Sequence, residues 1–188
     1  MKKIFMMAVM AVAALTANAQ QEAGTFSLQP KVGLNVTTLT GDGTKAKAGF
    51  TAGVEGMYQA AEKFGVSLGV MYSMQGAKVK DVDGAKLNYG YINIPILANY
   101  YVVKGLAIKA GIQPGFMTSA KAKYDGNSRD VKDSCKKFDF AIPVGVSYEI
   151  ANVVIDARYN IGLTKTIKDT DKKKNSVFHF TVGYKFGL

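Results

Sequence analysis

Chemistry has few places to reside in this chain. Among 188 residues there is one histidine, His179, and one cysteine, Cys135. A lone thiol makes neither an internal disulfide nor a cysteine-based metal site. A Ser-His-acid arrangement for acyl transfer would need a serine and a carboxylate beside His179. Asp156 is the nearest acid, but the pattern sets it toward the far end of the neighbouring strand, and it sets no serine there. Flanked by Phe178 and Phe180, His179 reads as a hydrogen-bonded filler near one end of a strand. No phosphate loop or metal-ligand spacing occurs, so no catalytic residue, cofactor or metal is expected. What remains is a set of charges at strand positions: Lys31, Lys109, Arg158 and Lys185 against Glu55, Asp139, Glu149 and Asp156. Enclosed charges must be paired or hydrated, so this balanced set predicts a charge network rather than a reaction centre.

The elements that carry these charges alternate with period two. Between Ile92 and Phe116, Ile92, Ile94, Ile96, Ala98 and Tyr100, then Leu106, Ile108, Ala110, Ile112, Pro114 and Phe116, occupy every second position. That is the pattern of β-strands with one apolar face. Eight strands are expected: Leu28 to Thr37, Phe50 to Gln59, Phe64 to Met74, the two arms of the Ile92–Phe116 hairpin, Phe138 to Ile150, Val153 to Ile161 and Phe178 to Phe186. Connections alternate in length. Ala61-Glu62-Lys63, Val103-Lys104-Gly105 and Ala151-Asn152 are short. Leu39 to Ala48, Ala77 to Lys86, Thr118 to Lys137 and Thr164 to Ser176 are long and polar. An even-stranded up-and-down barrel collects long loops at one end and short turns at the other, as outer-membrane barrels do.

Alternation does not say which face is inside. Three features assign the apolar face to lipid. The other face is rich in glycine (Gly33, Gly53, Gly65, Gly69, Gly111, Gly115, Gly145, Gly162 and Gly183), which suits a narrow eight-stranded interior. It also carries the balanced charges. Aromatic residues on the apolar face gather at strand ends: Tyr58, Phe64, Tyr100, Tyr148 and Phe186 at the short-turn end, and Phe50, Tyr72, Phe116, Phe138 and Phe178 at the loop end. Two such girdles flanking an aliphatic band mark a membrane barrel.

Residues 1–19 read as a cleavable signal peptide. Lys2 and Lys3 precede an apolar stretch from Ile4 to Leu15, and Ala17-Asn18-Ala19 fits a cleavage site, leaving residues 20–188 as one barrel domain. The formal net charge of the whole chain is +10. The long loops hold sixteen Lys or Arg and eight Asp or Glu, so the excess sits at one end. Lys121, Lys123, Lys136, Lys172, Lys173 and Lys174 are candidate contacts for anionic lipid, lipopolysaccharide included. No aromatic stacking positions interleave these charges, so no nucleic-acid role is expected.

Six stretches in order resemble the eight-stranded outer-membrane β-barrel family of Bacteroidetes often labelled PorT-like: Gly33 to Gly41, Met71 to Lys78, Tyr91 to Leu97, Gly111 to Phe116, Ala157 to Leu163 and Phe178 to Phe186. The resemblance implies an integral outer-membrane barrel, inserted by the barrel-assembly machinery and usually without a known activity; one founding relative is linked to protein secretion. The chain departs from the usual aromatic C-terminus, running Tyr184-Lys185-Phe186-Gly187-Leu188.

The expectation is thus an all-β, eight-stranded antiparallel up-and-down transmembrane barrel, with long extracellular loops and short periplasmic turns. It is taken as monomeric and non-enzymatic, with a structural, surface-interaction or secretion-associated role and an unidentified secretion-system or surface partner. Two alternatives stand beside it: a soluble periplasmic lipocalin-like barrel binding an apolar ligand, and an outer-membrane lipid-modifying enzyme using His179.

Overall fold

The computed structural model describes residues 22–39, 44–79, 86–124, 127–132, 135–165 and 174–188. The expected signal peptide lies outside them. In chain order the strands are β1 (Phe26–Leu39), β2 (Thr44–Lys45), β3 (Lys47–Ala61), β4 (Phe64–Val79), β5 (Lys86–Asn93), β6 (Ile96–Val103), β7 (Leu106–Tyr124), β8 (Asn127–Asp130), β9 (Phe138–Ile150), β10 (Val153–Lys165), β11 (Lys174–Tyr184) and β12 (Phe186–Gly187). All pairings are antiparallel, and β11 pairs with β1 to close the sheet. Eight staves form the wall. β5 and β6 are two halves of one, β12 prolongs β11, and β2 and β8 are short additions to β4 and β7.

The expected fourth strand is therefore interrupted, and the reason is Pro95, which has no N–H for the ladder. The wall stays hydrogen-bonded across the break. Ile94 N donates to Pro114 O at 2.8 Å and Gly69 N to Pro95 O at 2.9 Å. The strands also outrun their expected ends: β4 reaches Val79, β7 reaches Tyr124, and β5 begins at Lys86. Much of the polar sequence expected as loop is thus paired strand standing above the membrane, where the outer face meets water instead of lipid and an apolar outer face is no longer required.

The facing settles between the two barrel types. Val32, Leu34, Leu68, Val70, Ile108, Ile112, Val146 and Val182 are all exposed on the outer wall, while Gln29, Lys31, Asn35, Thr51, Glu55, Ser73, Asn99 and Thr181 are buried inside. A soluble lipocalin-like barrel needs the apolar face inward, and the structure has it outward. The girdles are present as well. Phe26 and Tyr58 rings lie 4.6 Å apart at the short-turn end, and Phe116 and Phe138 lie 5.5 Å apart at the loop end. Phe64 and Tyr72 sit eight residues apart on β4, roughly 27 Å along the strand and about 20 Å once tilted, close to the apolar band of an outer-membrane barrel.

Candidate functional site

The interior is built in layers. At the short-turn end, Glu149 on β9 accepts Tyr101 Oη at 2.6 Å and Lys185 Nζ at 2.7 Å. In the middle, five charged side chains from four strands converge. Glu55 Oε1 lies 2.9 Å from Lys31 Nζ and 3.1 Å from Lys109 Nζ. Asp156 Oδ2 lies 2.8 Å from Lys109 Nζ, and its Oδ1 lies 2.7 Å from Arg158 Nε. Arg158 Nη1 also reaches Glu55 Oε2 at 3.3 Å. All five are essentially removed from solvent. Bare, each would cost several kcal/mol; shared among two acids and three bases, each has a partner.

Local backbone makes the room. A Cβ on Gly145 would stand 2.7 Å from Arg158 Cγ, and one on Gly183 would stand 2.7 Å from Lys31 Cγ. These two inward glycines are the spaces into which the long stems fold.

Asp139 lies apart from both groups. It stands opposite Gly115 near the loop end and accepts the Thr164 hydroxyl. The sequence-derived set of eight therefore divides into a group of five, the pair Glu149 and Lys185, and Asp139 alone. His179 stands opposite Asn35 on β1 and Arg158 on β10, a rung above Asp156, which faces Thr181. Its Nε2 is buried with no hydrogen-bond partner among the described residues. Its register partners are an amide and a guanidinium, and Asp156 is committed to three cations.

Above lies a polar layer. Ser73 Oγ accepts Gln75 Nε2 at 2.6 Å and Asn93 Nδ2 at 2.9 Å, and Asn175 Nδ2 donates to Gln75 Oε1. Over it sits an apolar cluster that sequence reasoning missed: Ala77, Tyr89, Tyr91, Met117, Ala120 and Cys135, with Leu87 and Val131 against it. Tyr89 and Cys135 are hydrogen-bonded. The available signal was Tyr89 and Tyr91 flanking Gly90 in step with Asn93, just before the expected start at Ile92.

The loop end is basic. Register places Lys45 opposite Lys78, Lys78 opposite Lys86, and Lys86 opposite Lys123. The side chains of Lys45, Lys86 and Lys123 are exposed. Lys47, three residues above the Phe50 girdle and outside the apolar band, is held below the usual lysine range by partial burial and then by Lys86 and Lys123. Of the lysines expected to contact lipid, Lys121, Lys123 and Lys136 are exposed. Lys172 and Lys173 lie outside the described residues, and Lys174 opens β11 opposite Lys165.

A closed antiparallel barrel with a polar, ion-paired interior and a girdled apolar exterior is an outer-membrane β-barrel. The sequence pattern of the family described as "Outer membrane protein beta-barrel domain" matches residues 18–168. The chain belongs to that family. Among solved structures it is similar to Ail, the attachment invasion locus protein of Yersinia pestis, at 19% identity and a TM-score of 0.55, covering 87% of this chain and 99% of that one. Neisserial surface protein A is similar at 15% identity and a TM-score of 0.58, over 86% and 97% of the two chains. At such identities the likeness is one of fold. No curated protein is detectably similar to the chain in sequence.

Proposed function

We propose that the protein is a monomeric, non-enzymatic barrel that works through its surface. In this reading its lumen is sealed, and its basic loop end meets lipopolysaccharide, anionic lipid or a partner at the cell surface. The observation that supports it is the filled interior: an ion cluster removed from solvent, with a Tyr-Met-Cys cluster above it. Eight strands leave room for side chains and little else. Planar-bilayer recording tests this. Folded protein is expected to show no porin-like conductance steps, and steady large steps would overturn the sealed lumen.

The finer assignment, a PorT-like barrel of Bacteroidetes with a secretion-associated role, is supported by the six ordered motifs. Its test is the profile of exported proteins in a deletion strain, where loss of a secreted set is expected. An unchanged profile would leave a structural or surface-interaction role.

A further inference from the structure

We propose that the outer wall of the barrel, between β4, β5 and β7 at the loop end, holds the phosphate group of an outer-leaflet lipid. The proposal rests on the reading above only in placing this end at the outer leaflet.

Three observations converge on the site. The first is a notch of hydroxyls. β7 carries an irregularity where Gly90 pairs with Ser119 and Tyr91 with Met117, leaving Thr118 as the extra residue. Such a bulge re-aims side chains. Here it brings Thr118 and Ser119 to Gly90, where a Cβ would stand 2.6 Å from Ser119 Oγ, 2.8 Å from Thr118 Oγ1 and 3.0 Å from Tyr72 Oη. The missing side chain at position 90 is what lets the three hydroxyls converge there.

The second is a groove of about 480 Å³ running from Tyr72 and Met74, past Ser119, to Lys121, Lys123 and Ser128. Its lower end belongs to the lipid-facing wall, since Tyr72 stands opposite Ile92, which in turn stands opposite Phe116. Its upper end is cationic. From bottom to top the groove passes from apolar to hydroxyl to ammonium, the order in which a phosphorylated lipid presents acyl chain, headgroup and phosphate.

The third is the lysine row. Like charges directly opposite one another across strands destabilise pairing, and here Lys45, Lys78, Lys86 and Lys123 occupy successive register positions. Lys47, whose basicity is lowered first by partial burial, is lowered further by Lys86 and Lys123. Asp130 stands opposite Lys121 and accepts the Lys132 N–H at 2.8 Å, so a carboxylate lies at one side of the groove. A phosphate dianion placed among the remaining ammonium groups converts mutual repulsion into attraction. A free phosphate would use the lysines but not Tyr72 and Met74, which is why a lipid is the occupant.

The test uses folded full-length protein in detergent, with binding read by native mass spectrometry. Bis-phosphorylated lipid A is the probe, with dephosphorylated lipid A and inorganic phosphate as the other arms. Bis-phosphorylated lipid A is expected to bind in preference to its dephosphorylated form. Lys121→Gln with Lys123→Gln is expected to weaken binding about thirtyfold. Gly90→Ala, whose Cβ displaces the converging hydroxyls without changing charge, is expected to weaken it severalfold, while Lys172→Gln with Lys173→Gln and Lys174→Gln leaves it nearly unchanged. Equal binding of both lipids, displacement of the lipid by inorganic phosphate, or equal loss in the two lysine variants would overturn the proposal. Heat-dependent gel mobility and outer-membrane recovery of each variant report separately whether the barrel is folded and placed as described.

Discussion

Glu55 Oε2 on β3 and Arg158 Nη1 on β10 meet 3.3 Å apart inside the barrel, joining two strands that are not neighbours in the wall. Removing one member of a buried ion group exposes the rest to uncompensated repulsion. Glu55→Gln leaves Lys31, Lys109 and Arg158 with Asp156 alone, and is expected to cost about 3–5 kcal/mol. Urea titration of the refolded barrel in micelles, followed by gel mobility, measures the loss. A midpoint equal to wild type would mean the cluster carries no stability.

Val144 lies on the outer wall of β9, opposite Ala110 and Tyr159, inside the aliphatic band. Val144→Arg is expected to destabilise the inserted barrel by about 2–4 kcal/mol. The readout is the heat-modifiable fraction recovered from outer membranes, and normal recovery would contradict the facing.

Ala151, in the short β9–β10 turn, has a φ of 50°, a left-handed conformation that a Cβ disfavours. Ala151→Gly is expected to raise stability by about 1 kcal/mol. Comparison of unfolding midpoints decides it, and a lower midpoint would show that the turn is not strained.

Cys135 is buried beneath the loop end, among Tyr89, Tyr91 and Met117. A bulky maleimide is expected to label it only after the barrel is unfolded by heat. Rapid labelling of the folded form at neutral pH would show that the apolar cluster opens.

The barrel and its facing were legible because lipid imposes a severe rule: every second residue from Val32 to Val36, Val66 to Met74 and Val144 to Val146 must tolerate hydrocarbon. The inner glycines were legible too, though not their individual partners. Nothing local in the sequence says that Gly145 makes room for Arg158 or that Asp139 binds Thr164 instead of a cation, because such partnerships depend on the shear between strands. The reach of β4 and β7 beyond the membrane was illegible for a related reason. Above the girdle Lys78, Lys86 and Lys123 stand in paired strand whose outer face meets water instead of lipid, so the apolar outer positions that mark the wall below are not required. The Thr118 bulge leaves no sequence mark at all.

The wall closes where β11 meets β1, with nine residue pairs from Lys31–Gly183 to Leu39–Asn175, and β12 adds Ser27–Gly187 and Leu28–Phe186 beyond Lys185. The two sides of this seam come from opposite ends of the chain, so no local hairpin can form it. Ring closure must therefore wait for the last segment, bearing the entropic cost of joining ends separated by almost the whole domain. Until then the growing sheet has two bare edges, each a template for a foreign strand. Aggregation and productive insertion compete for the same unpaired amides, and whichever partner shields Lys31 to Leu39 first decides the fate of the chain.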